Sequence, residues 1–174
     1  MHETPADLKR LQELLDRSHA GAGSHLRSIL TDKRRLSAEQ VCRELQGMTL
    51  LSLATVTAGC EPIAGPVDGI FYRGLLWFGS AENSVRFRHI RARNAVSATH
   101  YRGEQLVVTV HGRAVEIDKA SGKYDGFKDC LREVYGKDWD SWGYWETAPF
   151  AYIEPRAMFA ASFTQNSPEA PSQA

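Results

Sequence analysis

The sequence has no excess of charge, few cysteines and no long apolar run, and each shortage excludes a class of protein. Lysine plus arginine number 21, as do aspartate plus glutamate, so no global field draws the chain to nucleic acid or to an anionic membrane. The 3 cysteines include no C-x-x-C pair, which argues against a disulfide framework and a zinc knuckle. No apolar run approaches the ~20 residues that span a bilayer, and the first residues lack an apolar signal core. We therefore expect a cytoplasmic protein that binds neither nucleic acid nor membrane.

Several enzyme motifs are missing as well. The sequence contains no H-E-x-x-H and no paired carboxylates at the spacing of a metal hydrolase, and it has no G-x-S-x-G around a serine nucleophile. We therefore predict no metal site formed by side chains alone, and no hydrolase of either type.

The most informative segment runs from residue 77 to residue 93. An apolar strand end breaks into small and hydroxyl residues and is followed by a helix rich in arginine. Ser80 and Ser84 offer hydroxyls, the first helical N–H groups have no partner within the helix, and Arg86 adds positive charge in the first turn. This pattern predicts an anion site. The alternative is a capped helix start that carries a surface arginine.

Further arginines follow on the same helix, and their role stays open. Helical spacing places Arg93 on the face of Arg86 and spreads Arg88 and Arg91 around the helix. Most of them are expected to be solvated, while one could hold a longer phosphate or a polyglutamate tail.

The first 46 residues predict a helical extension. Leucines at helical spacing predict a helix over residues 5–17, and glycine and serine predict a linker over residues 18–28. Ser37-Ala38-Glu39-Gln40 resembles a capping box for a helix that ends at Gly47. These helices either pack on the main domain or bind another protein, in which case the remainder is a scaffold.

From residue 47 to residue 165 the pattern predicts a single domain that is mostly β. A short helix follows the third of six predicted strands, a count that suits a small antiparallel barrel. The predicted strands cover residues 49–57, 62–72, 75–80, 95–101, 105–118 and 150–163. The polar tail, residues 166–174, is expected to be disordered.

An aromatic segment lies between the last two strands. Residues 124–135 place apolar side chains on one helical face, and Trp139, Trp142 and Trp145 follow. These tryptophans form either a lid over a substrate or a packed cluster, and packing is favoured because large aromatic side chains usually lie in cores.

The order of these elements and the residues on them resemble the pyridoxamine 5'-phosphate oxidase-like family of FMN-binding split β-barrels. The resemblance extends from about Gly47 to Phe163. No single motif is specific to the family, but the order and spacing of the motifs are. The motifs are Leu51-Ser52-Leu53-Ala54-Thr55-Val56, Gly65-Pro66-Val67-Asp68-Gly69, Leu76-Trp77-Phe78-Gly79-Ser80, Asn83-Ser84-Val85-Arg86-Phe87-Arg88-His89-Ile90, Asn94-Ala95-Val96-Ser97, His111-Gly112-Arg113-Ala114-Val115-Glu116 and Ile153-Glu154-Pro155-Arg156-Ala157-Met158-Phe159.

The resemblance implies a six-stranded antiparallel split β-barrel with flanking helices, an α+β fold that forms a homodimer. It also implies a cofactor in each cleft between subunits, with its phosphate on the strand-to-helix segment and its ring along the second strand. The cofactor-binding residues that it implies are Val67, Asp68, Gly69, Gly79, Ser80, Ser84, Val85 (by backbone only) and Arg86.

Two departures argue against the oxidation of vitamin B6. Authentic pyridoxamine-phosphate oxidases have an arginine where this sequence has Gly65, and residues 165–174 lack their arginine- and histidine-bearing tail. The Pro-Val-Asp-Gly and Trp-Phe-Gly-Ser strands are more similar to the flavin- and deazaflavin-using branch of the family. That branch implies FMN, the deazaflavin coenzyme F-420, or in some members haem or bilins.

The function expected from these observations is an oxidoreductase that uses FMN or a deazaflavin to transfer hydride to or from a small molecule. FMN is the first expectation for the cofactor. Weak candidates for a proton donor are His100, Tyr101 and His111. The alternative is a non-catalytic or haem- or bilin-binding protein of the same fold, with His100, His111 or His89 as the axial ligand of a haem.

Overall fold

The computed structural model describes residues 1–103 and 105–163. The disordered tail predicted for residues 166–174 lies outside the described residues. The helices are α1 Pro5–Ala20, α2 Ser24–Ile29, α3 Ala38–Glu44, α4 Val85–Ala92, α5 Asp125–Tyr135 and α6 Tyr144–Thr147, with 3₁₀ turns at Lys119–Ser121 and Lys137–Trp142. The strands are β1 Met48–Val56, β2 Pro62–Tyr72, β3 Leu75–Gly79, β4 Ala95–Arg102, β5 Leu106–Glu116 and β6 Phe150–Ser162.

The six strands form a closed barrel in the order β1-β2-β3-β6-β5-β4, and every pair of neighbours is antiparallel. Alternating burial along β1 and β4 places one side of each strand in the core and leaves the other side facing outwards. The fold class and the six-stranded barrel expected from the sequence are confirmed.

Closure of the barrel is uneven. β1 pairs with β4 only from Ser52 to Ala54, whereas β5 pairs with β6 along its whole length. The long pairing contains a bulge between His111 and Gly112. A side chain at Gly112 would place its Cβ 2.1 Å from the backbone oxygen of Glu154, so the bulge requires glycine there.

The N-terminal helices share their core with the barrel. Leu11 and Leu14 of α1 and Val41 of α3 are buried in one cluster with Leu51 and Phe78. The α3 capping box is confirmed, because the Ser37 hydroxyl accepts from the backbone of Gln40 while the Gln40 side chain accepts from the backbone of Ser37.

Two details of the N-terminal region differ from the sequence expectation. α1 continues to Ala20, and α2 lies within the stretch expected to be a linker. The Arg27 guanidinium donates to the carbonyl oxygen of Ala22 at 2.6 Å and so ties α2 to the end of α1. The helix after the capping box ends at Glu44 rather than at Gly47.

A second core forms beneath α5. Trp77 of β3 stacks on Phe127 of α5, with 4.3 Å between their ring centroids. Trp139 and Trp145 are buried in the same cluster, so two of the three tryptophans pack as the sequence predicts. This cluster holds α5 and the aromatic segment, here residues 135–147, against β2, β3 and β6.

No helix in the described part of the chain is both long and apolar enough to cross a membrane.

A buried carboxylate joins α1 to the β2–β3 turn. Asp7 is 1% exposed and accepts from Arg73 at 2.9 Å and from Arg10 at 2.6 Å. Its carboxylate also accepts from the backbone and hydroxyl of Thr4. Burial by itself raises the pKa of Asp7, but these hydrogen bonds outweigh it and lower the pKa from 3.8 to about 2.

We expect Asp7→Asn to lower the free energy of unfolding at pH 7 by roughly 2 to 3 kcal/mol, the linkage value of the depressed pKa. The folded pKa lies below the unfolded one, so this stabilisation is complete above the unfolded value, near 3.8, and is lost as the pH falls towards 2. Denaturant unfolding of both proteins between pH 7 and pH 2 measures the effect, and the two curves should converge at low pH.

The control for this prediction is Asp16→Asn. Asp16 is more than half exposed and pairs with Arg35 at 2.9 Å, so its loss should cost less than ~1 kcal/mol. Equal destabilisation by the two variants would contradict a special role for Asp7.

Candidate functional site

A cavity of about 300 Å³ lies between β2, β3, the start of α4 and the aromatic segment. This volume is at the lower end of the range for small-molecule sites. The structure brings five of the eight predicted cofactor-binding residues to its wall. They are Val67, Asp68, Gly79, Ser80 and Arg86.

The other three predicted residues lie outside that wall. A Cβ at Gly69 would come within 2.4 Å of the Leu51 side chain, so this glycine makes room for the core. Val85 is 47% exposed at the start of α4. Ser84 is the N-cap of α4, since its hydroxyl accepts from the backbone N–H of Phe87 at 3.3 Å.

The cap and an anion site are compatible at this helix start. The Ser84 oxygen satisfies one helical N–H and leaves the hydroxyl proton free to be donated. At this end of α4 the N–H groups of Phe87 and Arg88 donate to Ser84. The N–H groups of Val85 and Arg86 come before them and have no acceptor within the helix. The positive end of the helix dipole is therefore available to an anion.

Two neutral oxygen atoms hold the Arg86 side chain at the cavity wall. Nη1 donates to the Ser80 hydroxyl at 3.2 Å, and Nη2 donates to the carbonyl oxygen of Pro66 at 2.8 Å. Arg86 thereby joins the start of α4 to β2 and to the end of β3, and its remaining N–H groups can donate to a ligand.

The charge of Arg86 has no counterion among the described residues. No carboxylate forms an ion pair with it there, whereas Arg91 pairs with both Glu82 and Glu116. Burial lowers the pKa of Arg86, and the nearby Tyr144 partly opposes this effect. An arginine does not lose its proton in a protein, so the cation persists and favours a bound anion.

Gly65 lies next to the Arg86 guanidinium. A Cβ at Gly65 would lie 3.7 Å from Nη2 of Arg86, an ordinary van der Waals distance. An arginine at this position, as in the pyridoxamine-phosphate oxidases that the sequence resembles, would add a second positive charge to this part of the molecule. The departure from the oxidase pattern therefore falls beside Arg86.

The remaining arginines of α4 divide into two kinds. Arg91 forms a bidentate pair with Glu116, with distances of 2.9 and 2.7 Å, and attaches α4 to β5. Arg88 and Arg93 are exposed. Of the three arginines on α4 and Arg93 at its C-cap, only Arg86 contributes to the wall of this cavity.

The aromatic segment supplies two cavity residues that the sequence reasoning missed, Tyr135 and Tyr144, and a third, Trp142, that it named in the alternative of a lid over a substrate. These three side chains are partly or largely exposed, Trp142 at 60%, whereas Phe127, Trp139 and Phe150 of the same cavity are buried. The spacing of three between successive tryptophans, which suits a 3₁₀ turn, marked the segment but not its tyrosines.

Asp68 faces two of these phenols. Burial raises the pKa of Tyr135 to about 12, and the negative charge of Asp68 adds to this effect. Burial and then Asp68 also raise the pKa of Tyr144. Both phenols are therefore protonated at neutral pH, and Asp68 supplies an acceptor at the cavity wall.

The histidines and Tyr101 lie elsewhere. His100 is 8% exposed, and its Nδ1 lies 3.0 Å from the carbonyl oxygen of Leu50. His89 pairs with the Thr55 hydroxyl at 3.0 Å. Tyr101 is 63% exposed on β4. The structure therefore does not bring the predicted proton donors to the 300 Å³ cavity within one chain.

His111 lies in a different depression, a groove of about 690 Å³ between the ends of β1 and β4 and the bulge of β5. Its Nδ1 is 2.8 Å from the Ser97 hydroxyl. Arg113 and Arg156, both exposed, line the same groove.

We expect Arg86→Gln to weaken the binding of a phosphate monoester such as FMN by at least tenfold. The variant removes a charge-assisted hydrogen bond worth ~1.5 kcal/mol or more. Titration followed by calorimetry or fluorescence measures the change in dissociation constant.

Arg88→Gln is the matched control, because it removes the same charge from an exposed position on the same helix. An equal loss of affinity in both variants would show that only the general charge of the helix matters, and would contradict the assignment of Arg86.

Comparison with known proteins supports the architecture. No protein-family model and no curated protein matches the sequence. Among solved structures, a conserved hypothetical protein of Mycobacterium tuberculosis has a TM-score of 0.65 at 13% identity, and the match covers 83% of this chain and 98% of the other. The haem storage protein HutZ of Vibrio cholerae has a TM-score of 0.61 at 15% identity, with 71% and 93% covered.

Two further matches are named for different cofactors. An FAD-binding protein of Mesorhizobium loti has a TM-score of 0.57 at 22% identity, covering 74% of this chain and 96% of the other. A structure named F420 reductase has a TM-score of 0.50 at 16% identity, with 66% and 91% covered. The chain spans about half, 52%, of protein Atu2129 of Agrobacterium tumefaciens.

Identities this low show the fold and nothing finer. The chain has the split-barrel fold that its motifs predict, and it shares this fold with proteins named for flavin, deazaflavin and haem.

Proposed function

We propose that this protein binds a phosphate-bearing flavin or deazaflavin and transfers hydride between it and a small molecule. The observation that carries the proposal is Arg86, a partly buried cation that pairs with no carboxylate of residues 1–103 and 105–163 and is held beside Ser80 in a cavity. The names of the structural relatives, an FAD-binding protein and an F420 reductase, support the same class.

The donor and acceptor groups of the cavity fit such a cofactor. Ser80, Arg86 and the start of α4 would hold the phosphate, and Val67 and Asp68 would lie along the ring. The pyrimidine edge of a flavin or deazaflavin has a ring N–H, for which the Asp68 carboxylate is an acceptor. FMN is our first choice because it ends in a single phosphate.

The bound cofactor would supply the hydride chemistry, and the chain would orient it and exclude water. The Arg86 cation fixes the phosphate end, and the aromatic segment covers one side of the cavity. His100, Tyr101 and His111 stay candidate proton donors, which would need to reach the ring from another subunit or by movement.

The second candidate function is haem binding, and His111 favours it. Among the three predicted ligands it alone lines one of the described cavities, the 690 Å³ groove. The Ser97 hydroxyl holds its Nδ1, which leaves Nε2 for iron, a common arrangement for metal-binding histidines. Arg113 and Arg156 could pair with propionates.

Absorbance and mass spectrometry of the molecule that co-purifies should show the two visible bands of an oxidised flavin and the mass of FMN. A colourless protein that binds and turns over reduced coenzyme F-420 would favour the deazaflavin. A Soret band that shifts in His111→Ala, but not in Arg86→Gln, would favour haem and overturn the flavin proposal. Binding of FMN without turnover of any electron acceptor would favour a non-catalytic carrier.

We also propose that the protein forms a homodimer through the outer face of β1, β2 and β4. Apart from Asp68, which lies opposite Leu50, this outer face consists of small, hydroxyl and apolar residues. They are Leu50, Ser52, Ala54, Ala64, Pro66, Ser97, Thr99 and Tyr101.

The position of the outer face supports the proposal. Leu50 and Tyr101 are 56% and 63% exposed, so apolar surface faces water in the single chain. The carbonyl of Pro66 accepts from Arg86, so the rim of this face adjoins the cofactor cavity. A second copy packed here would cover both the face and one edge of the cavity.

We expect light scattering to give a mass about twice the 19.4 kDa of one chain, and Leu50→Glu to reduce it to that of a monomer. The introduced carboxylate would lose its hydration in the interface. Ala120→Glu, at an exposed position outside this face, should leave the dimer intact. A monomeric wild-type protein would rule the proposal out.

A further inference from the structure

Three partly or largely exposed aromatic residues line the cofactor cavity, and we call them the aromatic wall: Tyr135, Trp142 and Tyr144. Trp142 is 60% exposed and Tyr144 is 38% exposed. The rings of Tyr135 and Trp142 lie 6.1 Å apart at an angle of 59°. Exposed indole next to a cavity is apolar surface that a ligand can cover.

The backbone that carries the aromatic wall is firmly anchored. Nζ of Lys119 donates to the carbonyl oxygens of Trp145 and Ala148, the latter at 3.0 Å, and so ties the end of α6 to the 3₁₀ turn after β5. Arg132 of α5 pairs with Asp140 at 2.8 Å, two residues before Trp142.

Because these contacts fix the segment on both sides of Trp142, its indole is exposed without lying on a free loop.

Val67 and Asp68 of β2 and the Arg86 side chain line the same cavity. The cavity therefore combines a cation for an anionic group with apolar rings for a planar group. A volume of about 300 Å³ suits one ring system rather than two.

We propose that the aromatic wall, Trp142 above all, stacks on the ring of the ligand whose phosphate Arg86 holds, so that the site selects planar heteroaromatic phosphate esters. This inference rests on the proposed function and adds a ring-binding role for residues 135–144. Ring affinity and phosphate affinity then reside in separate parts of the chain.

A ligand panel with three probes tests the division: FMN, riboflavin as the ring without phosphate, and ribose 5-phosphate as the phosphate without the ring. Binding to the wild type should quench FMN fluorescence, because a stacked indole quenches an excited flavin. Trp142→Ala should weaken FMN and riboflavin about tenfold, the scale of one aromatic stacking contact, and reduce the quenching. Its affinity for ribose 5-phosphate should not change.

Two further variants complete the experiment. Trp142→Phe keeps an aromatic ring and should recover most of the affinity for FMN. Arg86→Gln should weaken FMN and ribose 5-phosphate but leave riboflavin unchanged. Since Trp142 is largely exposed, its replacement should not alter the thermal midpoint, which provides the check on folding.

The possible failures can be told apart. If Trp142→Ala binds and quenches FMN like the wild type while Arg86→Gln does not bind it, the ring inference is wrong and the proposed function stands. If the wild type binds neither FMN nor its 5-deaza analogue, both are wrong. If Trp142→Ala changes only the oligomeric mass, Trp142 belongs to a protein interface, and the ring inference is overturned.

Discussion

The short pairing between β1 and β4 is the contact on which the rest of the barrel depends. It joins the strands only from Ser52 to Ala54, yet it closes the sheet. Beyond Ala54, β1 stays paired with β2 and separates from β4, which leaves the 690 Å³ groove between the strand ends. The β1–β2 hairpin also carries Pro66 and Asp68 to the start of α4, where they meet Arg86 and the second cavity. The short β1–β4 pairing therefore determines the position of the groove, and the β1–β2 hairpin with Arg86 determines that of the second cavity.

The arginines of this chain have two kinds of partner, carboxylates and neutral oxygen atoms. Arg91 and Arg132 each contact two carboxylates, and Arg73 contacts the buried Asp7, so these charges are neutralised within the fold. Arg86 instead meets a hydroxyl and a backbone carbonyl, which orient the guanidinium without cancelling its charge. A neutral acceptor satisfies a donor but leaves the field of the cation in place. Among these arginines, Arg86 is therefore the one poised for an external anion.

Local signals in the sequence predicted local structure well. The residues of β2, the α3 capping box and the turn at Arg73-Gly74 follow from alternation, cap residues and turn residues, all of which act over a few positions. Five of the eight site residues that the family resemblance implied share one cavity, because β2, β3 and the start of α4 are consecutive elements that meet there. The sequence left two roles open for Trp142, a lid or a packed cluster, because its exposure depends on how the segment after α5 packs on distant strands. His100 similarly contacts the carbonyl oxygen of Leu50, fifty residues away in sequence. A pattern that covers a few positions cannot predict such a contact.

The placement of the aromatic wall has a consequence for how such proteins diverge. Residues 135–147 lie between β5 and β6, outside every strand pairing of the barrel, whereas Ser80 and Arg86 lie where β3 passes into α4. Exchanges at Tyr135, Trp142 and Tyr144, which are partly or largely exposed, leave the register of all six strands unchanged, whereas Trp139 and Trp145 of the same connection are buried in the second core. Related chains can thus keep Ser80 and Arg86 while they vary the rings that line the same cavity. The architecture separates the positions of the cavity under folding constraint from those that are free to change.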